Sequence, residues 1–245
     1  MPATKTLISF DVDGTLIRAT GQDANKLHKD AFAHGFLEVF GIETTIDVID
    51  YQGSTDMLIS RATMRHHGVD DAVISERMDA HCAAMCRYAL ERRENAADGL
   101  ELLTGVRQLL EILSARADCT VCLVTGNLEP IAWAKMERLG IEHLFSLPRF
   151  GGFGSDHTDR GVLVKIAAQR SESQDYTGVP HVKRFHFGDT PMDVKAAEYA
   201  GATAIGLLTG VFSREDLVNV SKAIDPIVFD TLSDTESVLR AIGLT

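Results

Sequence analysis

Two aspartates separated by one residue, Asp11 and Asp13, stand at the exit of the apolar run Leu7-Ile8-Ser9-Phe10. A carboxylate ending a buried strand carries a large desolvation penalty unless something positive faces it. A hard divalent cation, which takes oxygen ligands, suits such a pair. Gly14 lets the backbone turn and approach a ligand closely, and Thr15 adds a hydroxyl at the same rim. The same residues also read as a strand followed by an ordinary Asp-Gly turn, and in isolation the two readings balance. Three more polar sets follow. Thr125-Gly126-Asn127 offers a hydroxyl, a flexible backbone N–H and an amide, a set suited to phosphoryl oxygens. In Gly188-Asp189-Thr190-Pro191-Met192-Asp193, Thr190 fits a helix N-cap and Pro191 the first helical position. Asp193 then falls where the helix dipole alone would favour a carboxylate, whereas Asp189 has no such structural reason. Asp159-Arg160 opens a further helix, with Lys165 five residues on.

The elements that must carry these groups alternate. Strand patterns fall at 6–10, 120–124, weakly at 144–147, and at 184–187, 202–207 and 227–229. Helical patterns lie between them, at 106–116, 130–139, 161–170, 191–200, 214–220 and 232–242. Short strands alternating with helices predict an open parallel sheet, a Rossmann-like three-layer α/β core. Such sheets bind ligands beyond the carboxyl ends of their strands, where the strand order reverses. Residues 20–96 differ: 23–40, 55–67 and 72–93 have helical periodicity with no convincing strand between them. The predicted division is a core of 1–19 plus 97–245 and an all-helical insertion of 20–96, hinged near 18–21 and 95–99.

Composition narrows the partners. The chain has 245 residues, 45% apolar and 24% charged, with a net charge of −11. That charge argues against nucleic acids and anionic membrane surfaces, and any anionic substrate must be caught by local positive groups. No run approaches the ~18 apolar residues of a membrane span. The stretch 1–10 has one lysine and an apolar run cut short by Asp11, so no signal peptide and a cytoplasmic location are expected. Cys82, Cys86, Cys119 and Cys122 read as reduced packing thiols rather than zinc or redox pairs.

Taken together and in this order, Asp11-Val12-Asp13-Gly14-Thr15, Thr125-Gly126, a basic residue, and Gly188-Asp189 with Asp193 resemble the haloacid dehalogenase superfamily, in its phosphatase branch with a helical cap. The resemblance implies that Asp11 is the nucleophile, forming an aspartyl-phosphate, and that Asp13 is first general acid and then base. For that, Asp13 is expected to hold a proton while Asp11 stays ionised beside Mg2+. It implies Mg2+ held by Asp11, the Asp13 carbonyl and Asp189, with Asp193 as ligand or supporting partner. Thr125, Gly126, Asn127 and Thr15 are expected around the phosphoryl group. The third motif departs from the common pattern, having no Lys-Pro pair. Arg160 and Lys165 compete for it, and Arg160 is favoured because it enters at the loop-helix junction and its fork holds two oxygens. Gly53-Ser54-Thr55-Asp56 resembles a cap segment that nears the active site in relatives, though an N-cap after a turn explains it equally. Arg61, Arg65, His66 and His67 suit either an anionic substrate or a solvated helix face.

The expected activity is Mg2+-dependent hydrolysis of a small phosphorylated metabolite, such as phosphoglycolate or a sugar phosphate, by a monomer or homodimer. Dehalogenation of 2-haloacids needs no second carboxylate or metal, so Asp13 and Asp189 count against it. Phosphonate hydrolysis needs a cap lysine, for which Lys26 and Lys29 are present without a distinguishing context. A sugar-phosphate mutase and a degenerate, protein-binding regulator complete the alternatives.

Overall fold

The computed structural model describes residues 5–173, 181, 183–222 and 225–244, so residues 1–4 of the amino-terminal stretch discussed above lie outside it. The chain runs β1 (Thr6–Phe10), β2 (Ile17–Ala19), α1 (Lys26–Gly35), α2 (Asp56–His66), α3 (Asp71–Glu91), β3 (Leu100–Leu102), α4 (Val106–Ser114), β4 (Cys119–Thr125) and α5 (Glu129–Arg138). It continues with β5 (Gly151–Phe153), α6 (Arg160–Glu172), β6 (Lys183–Gly188), α7 (Pro191–Tyr199), β7 (Thr203–Leu207), α8 (Arg214–Val218), β8 (Ile227–Phe229) and α9 (Thr235–Ala241).

Six strands form one parallel sheet in the order β5-β4-β1-β6-β7-β8. Phe10 at the end of β1 sits opposite Leu123 of β4 and Phe187 of β6. Strand order reverses around β1, which opens a crevice at the carboxyl ends of these three strands. Helices cover both faces. Ile8, Phe10, Val121, Leu123 and Phe187 pack with Val106, Leu109 and Leu113 of α4 on one side. Leu7, Cys122 and Val124 pack with Leu163, Val164 and Ala167 of α6 on the other. Burial on both faces is why these strands read as continuous apolar runs.

Two expectations need correction. The weak strand at 144–147 is absent; a 3-10 turn occupies Glu142–Leu144, and the edge strand is β5. Its glycines hid it: a Cβ on Gly151 would lie 2.2 Å from the Leu123 carbonyl, and one on Gly152 2.1 Å from that of Leu163. A strand squeezed this closely between β4 and α6 carries no apolar pattern. The second difference is an antiparallel ribbon of β2 and β3, from which α1, α2 and α3 emerge. At three residues each, its strands are too short for a periodic signal.

The inserted helices have a core of their own, built on Phe32, Phe36, Met64, Ile74, Met78 and Met85. Leu128, Ile131 and Ala134, at the start and along one face of α5, join that cluster, while Ala132, Trp133 and Met136 belong to the sheet core. Helix α5 is therefore the seam between the two. His81 of α3 is buried in the inserted core, stacked 4.8 Å from Phe36. Its Nε2 lies 2.8 Å from Ser60 Oγ, which itself donates to the Asp56 carbonyl. Burial lowers this imidazole to about 4. Because the folded value lies below the ordinary 6.5, the contribution of His81 is intact above pH 6.5 and is lost as pH falls toward 4. Urea unfolding at pH 7 and pH 5 should show the wild type losing ~2 kcal/mol more than His81→Phe. Equal losses in the two proteins would assign the acid sensitivity elsewhere.

Candidate active site

The crevice beyond β1, β4 and β6 is closed from above by the inserted helices, leaving a cavity of about 140 Å³. Asp11, Asp13, Thr125, Asn127, Arg160 and Asp189 line it from the sheet side. His28, Lys29, Phe32, Ile46, Tyr51, Gln52 and Ile59 line it from the insertion.

Asp11 follows β1 directly, its N–H donating to the Phe187 carbonyl at 2.9 Å, and its side chain is buried. Its Oδ1 lies 3.0 Å from Arg160 Nη1 as an ion pair, and among the described residues no well-aligned hydrogen bond reaches it. Arg160, the first residue of α6, donates from the same nitrogen to Asp193 Oδ1 at 2.7 Å. Asp193 Oδ2 takes the Thr190 N–H and hydroxyl in a capping box that starts α7. Asp189 accepts from the Thr15 hydroxyl at 3.3 Å. One oxygen each from Asp11, Asp189 and Asp193 fall within 4.8 Å of one another.

The electrostatics of this trio are unbalanced. Burial raises Asp11 above its ordinary value against the pull of Arg160, and Asp193 and Asp13 push it further up. Burial, Asp193 and Asp11 raise Asp189 to about 8. Burial would raise Asp193 too, but Arg160, His186 and Thr190 hold it well below the usual range. Three buried carboxylates therefore face a single guanidinium, and Asp11 has an oxygen without a well-aligned hydrogen bond. This donor set, all oxygen and short of positive charge, fits a hard divalent cation. Asp193 already has its own partners, so Asp11 and Asp189 are the carboxylates with oxygens to offer.

Asp13 has a partner that the sequence reading did not name: Lys135 Nζ of α5 lies 3.0 Å from both of its carboxylate oxygens. Asn127 Nδ2 donates to Asp13 Oδ2 at 3.0 Å, while Asn127 Oδ1 accepts from Lys135 at 2.7 Å. Burial would raise Asp13, but Lys135 and His28, with the hydrogen bonds from Lys135 and Asn127, carry it below the ordinary value. In the metal-free protein Asp11, not Asp13, thus holds its proton more readily. The cause is a lysine 122 residues away that faces Asp13.

The remaining candidates divide. Thr125 is buried at the cavity wall, its hydroxyl accepting from the Asn127 N–H. Gly126 is covered by the insertion: a Cβ there would lie 2.7 Å from the Ser54 carbonyl, and its own carbonyl accepts the Asp56 N–H at 2.8 Å. Lys165 is exposed and stands apart, its ammonium 3.7 Å from the Tyr199 ring centroid. Arg65 pairs with Asp71, Arg61 with Ser75, and His67 with Thr44, and none of these lines the cavity. All four cysteines are free, with thiols pushed up by burial. Lys135, His28 and Asp56 escaped the sequence reading as a group. The one local signal was a lysine inside the otherwise apolar stretch 131–136, two helical turns beyond Asn127.

A family model described as haloacid dehalogenase-like hydrolase matches residues 5–201. Phosphoglycolate phosphatase of Escherichia coli (strain K12) is 25% identical over 252 residues, covering 97% of this chain and 92% of that protein. A hydrolase from Pseudomonas syringae superimposes with a TM-score of 0.62 at 19% identity, over 98% of this chain and 100% of that one. CbbY from Rhodobacter sphaeroides, solved in complex with phosphate, gives 0.61 at 18% identity over 94% and 96%. At such identities the two structures establish a shared fold. The family model spans the whole interval from β1 to the end of α7, including every strand end that lines the cavity, and the chain belongs to the haloacid dehalogenase-like hydrolases.

Proposed function

We propose that this chain is a Mg2+-dependent phosphomonoesterase that hydrolyses a small phosphorylated metabolite through an aspartyl-phosphate on Asp11. The observation that carries this reading is the convergence of Asp11, Thr125, Arg160 and Asp189, from four separate elements, on one enclosed cavity. Asp11 attacks phosphorus, splitting hydrolysis into two easier steps. Arg160, already paired with Asp11, lends its remaining donors to the phosphoryl oxygens. The Thr125 hydroxyl and the Gly126 and Asn127 amides complete the cradle, with Thr15 at the rim. Asp13 exchanges a proton with the leaving oxygen and then with the attacking water. Asp11, the Asp13 carbonyl and Asp189, with Asp193 in support, would hold Mg2+, which would supply positive charge to the transferred group.

The segment 20–96 acts as a cap domain over the core of 1–19 and 97–245, excluding bulk water during the reaction. A cavity of about 140 Å³ favours a compact substrate over a macromolecule. Phosphoglycolate, the substrate named for the 25%-identical relative, and small sugar phosphates are the first choices. Four free thiols agree with a cytoplasmic enzyme. Phosphate release from a panel of phosphorylated metabolites, with Mg2+ and with excess chelator, tests the reading. The expected result is Mg2+-dependent release from two- to six-carbon monophosphates; activity unchanged in chelator removes the metal, and transfer to a sugar hydroxyl instead of water marks a mutase.

A further inference from the structure

Lys135 is almost wholly buried and stands behind the residues that line the cavity. A buried ammonium is costly, and an apolar side chain of the same length would fill the site more cheaply. Its three protons meet three acceptors: the Asp13 carboxylate at 3.0 Å, Asn127 Oδ1 at 2.7 Å and His28 Nδ1 at 3.4 Å. With Nδ1 of His28 accepting, Nε2 carries the ring proton, and it lies 2.9 Å from Asp56 Oδ2. That oxygen also accepts the Leu128 N–H at 2.8 Å. The contacts close a circuit across the seam. They run from Asp13 to α5, then to α1 and α2 of the insertion, and back to the loop after β4.

We propose that Lys135 is a positioning residue for the proton work of Asp13, and that His28 and Asp56 make that position depend on the insertion being seated on the core. The inference rests on the phosphatase reading above. Asp13 Oδ2 already takes hydrogen bonds from Lys135 and Asn127, whereas Oδ1 takes only one, from Lys135. Oδ1 is therefore the oxygen with capacity to spare for the reaction. In the second half of turnover the water oxygen bonds to phosphorus as the phosphorus–oxygen bond to Asp11 breaks. The water proton passes to Asp13 Oδ1, leaving an Asp11 carboxylate, inorganic phosphate and a protonated Asp13 that returns its proton to solvent. A carboxylate held still by Lys135 and Asn127 serves that step directly. Formation of the phosphoenzyme from an aryl phosphate needs no such help, because the phenolate leaves without a proton.

The test is p-nitrophenyl phosphate turnover with Mg2+ by Lys135→Met. Turnover after the first cycle should fall by roughly 100-fold, with kcat/KM within a few-fold of wild type. A burst of one p-nitrophenolate per enzyme should precede it, and acid quench followed by intact mass should show the phosphorylated protein accumulating. His28→Gln, which leaves Lys135 in place, should show the same pattern with a loss of roughly 10-fold and covers the case of a Lys135→Met protein that does not fold. Equal losses in kcat and kcat/KM without a trapped phosphoenzyme would assign Lys135 a merely structural role and overturn the proposal. A normal His28→Gln enzyme would overturn the link to the insertion. If the wild type itself releases no p-nitrophenolate, the phosphatase reading falls and this inference with it; a wild type that turns over isolates the role of Lys135.

Discussion

Asp11→Asn should abolish turnover of both aryl and alkyl phosphates, by at least about 10^4-fold, while the protein becomes no less stable. An amide is a poor nucleophile toward phosphorus and cannot form the acyl phosphate, so no phosphoenzyme should be seen after acid quench. The stability half follows from the geometry. Asp11 is buried beside Asp193 and Asp189, and burial raises its carboxyl despite the ion pair with Arg160. A carboxyl whose folded value lies above its unfolded one opposes folding at neutral pH, where it must ionise. Replacing it with a neutral isostere removes that penalty and leaves Arg160 on Asp193 at 2.7 Å. Thermal unfolding in chelator at pH 7 should therefore rise by a few degrees. Activity that survives the substitution would remove Asp11 from the chemistry, and a lower melting temperature would show that its ion pair matters more than its crowding.

Arg160→Met should do the opposite to stability and nearly as much harm to activity. Arg160 is the cation that the structure sets against the trio, 3.0 Å from Asp11 and 2.7 Å from Asp193. Removing it leaves buried carboxylates facing one another, a change expected to cost ~3–5 kcal/mol in chelator. Millimolar Mg2+ should restore part of the loss, since a divalent ion supplies the missing positive charge. Turnover should fall by roughly 10^3-fold, the usual weight of a charged donor aimed at a transition-state oxygen. Arg160→Lys keeps the charge but lacks the fork that spans two partners, so it should recover stability better than rate. Lys165→Met supplies the control. Its ammonium rests on the Tyr199 ring, and activity should stay within about twofold. A large loss there with a normal Arg160→Met enzyme would reverse the assignment.

Some of this was visible along the chain because the responsible physics is local. Asp11 and Asp189 each follow a buried strand and Thr125 ends one, so an apolar run stops abruptly at a polar side chain. Asp193 was legible for a different reason: Thr190 and Pro191 mark a helix start, and the capping box they predict is present. The choice between Arg160 and Lys165 was harder, since both lie near the start of α6. Five residues along a helix place them about 140° apart around its axis, and only the packing of α6 against the sheet decides which one enters the crevice.

Other parts were not legible at all. Lys135 was not singled out, because a helix is usually buried on one face and a lysine on it is ordinarily solvated. Helix α5 is buried on two, with Leu128 and Ile131 reaching the inserted core and Ala132 and Met136 the sheet core. The partner of Asp13 was hidden for the same reason, since Lys135 lies 122 residues away in sequence. Strand β5 was missed because its two glycines are dictated by neighbouring carbonyls rather than by a hydrophobic pattern.

The primary structure alone decided that this is an α/β protein with carboxylates at the ends of its central strands, because strand burial and helix capping are short-range and leave periodic marks. The tertiary structure alone decided the company those carboxylates keep. Arg160 stands between Asp11 and Asp193, and Lys135 stands behind Asp13, tied through His28 to the inserted helices. Charge interactions in a buried site depend on distance and on the exclusion of water, and both are set only when remote segments pack together.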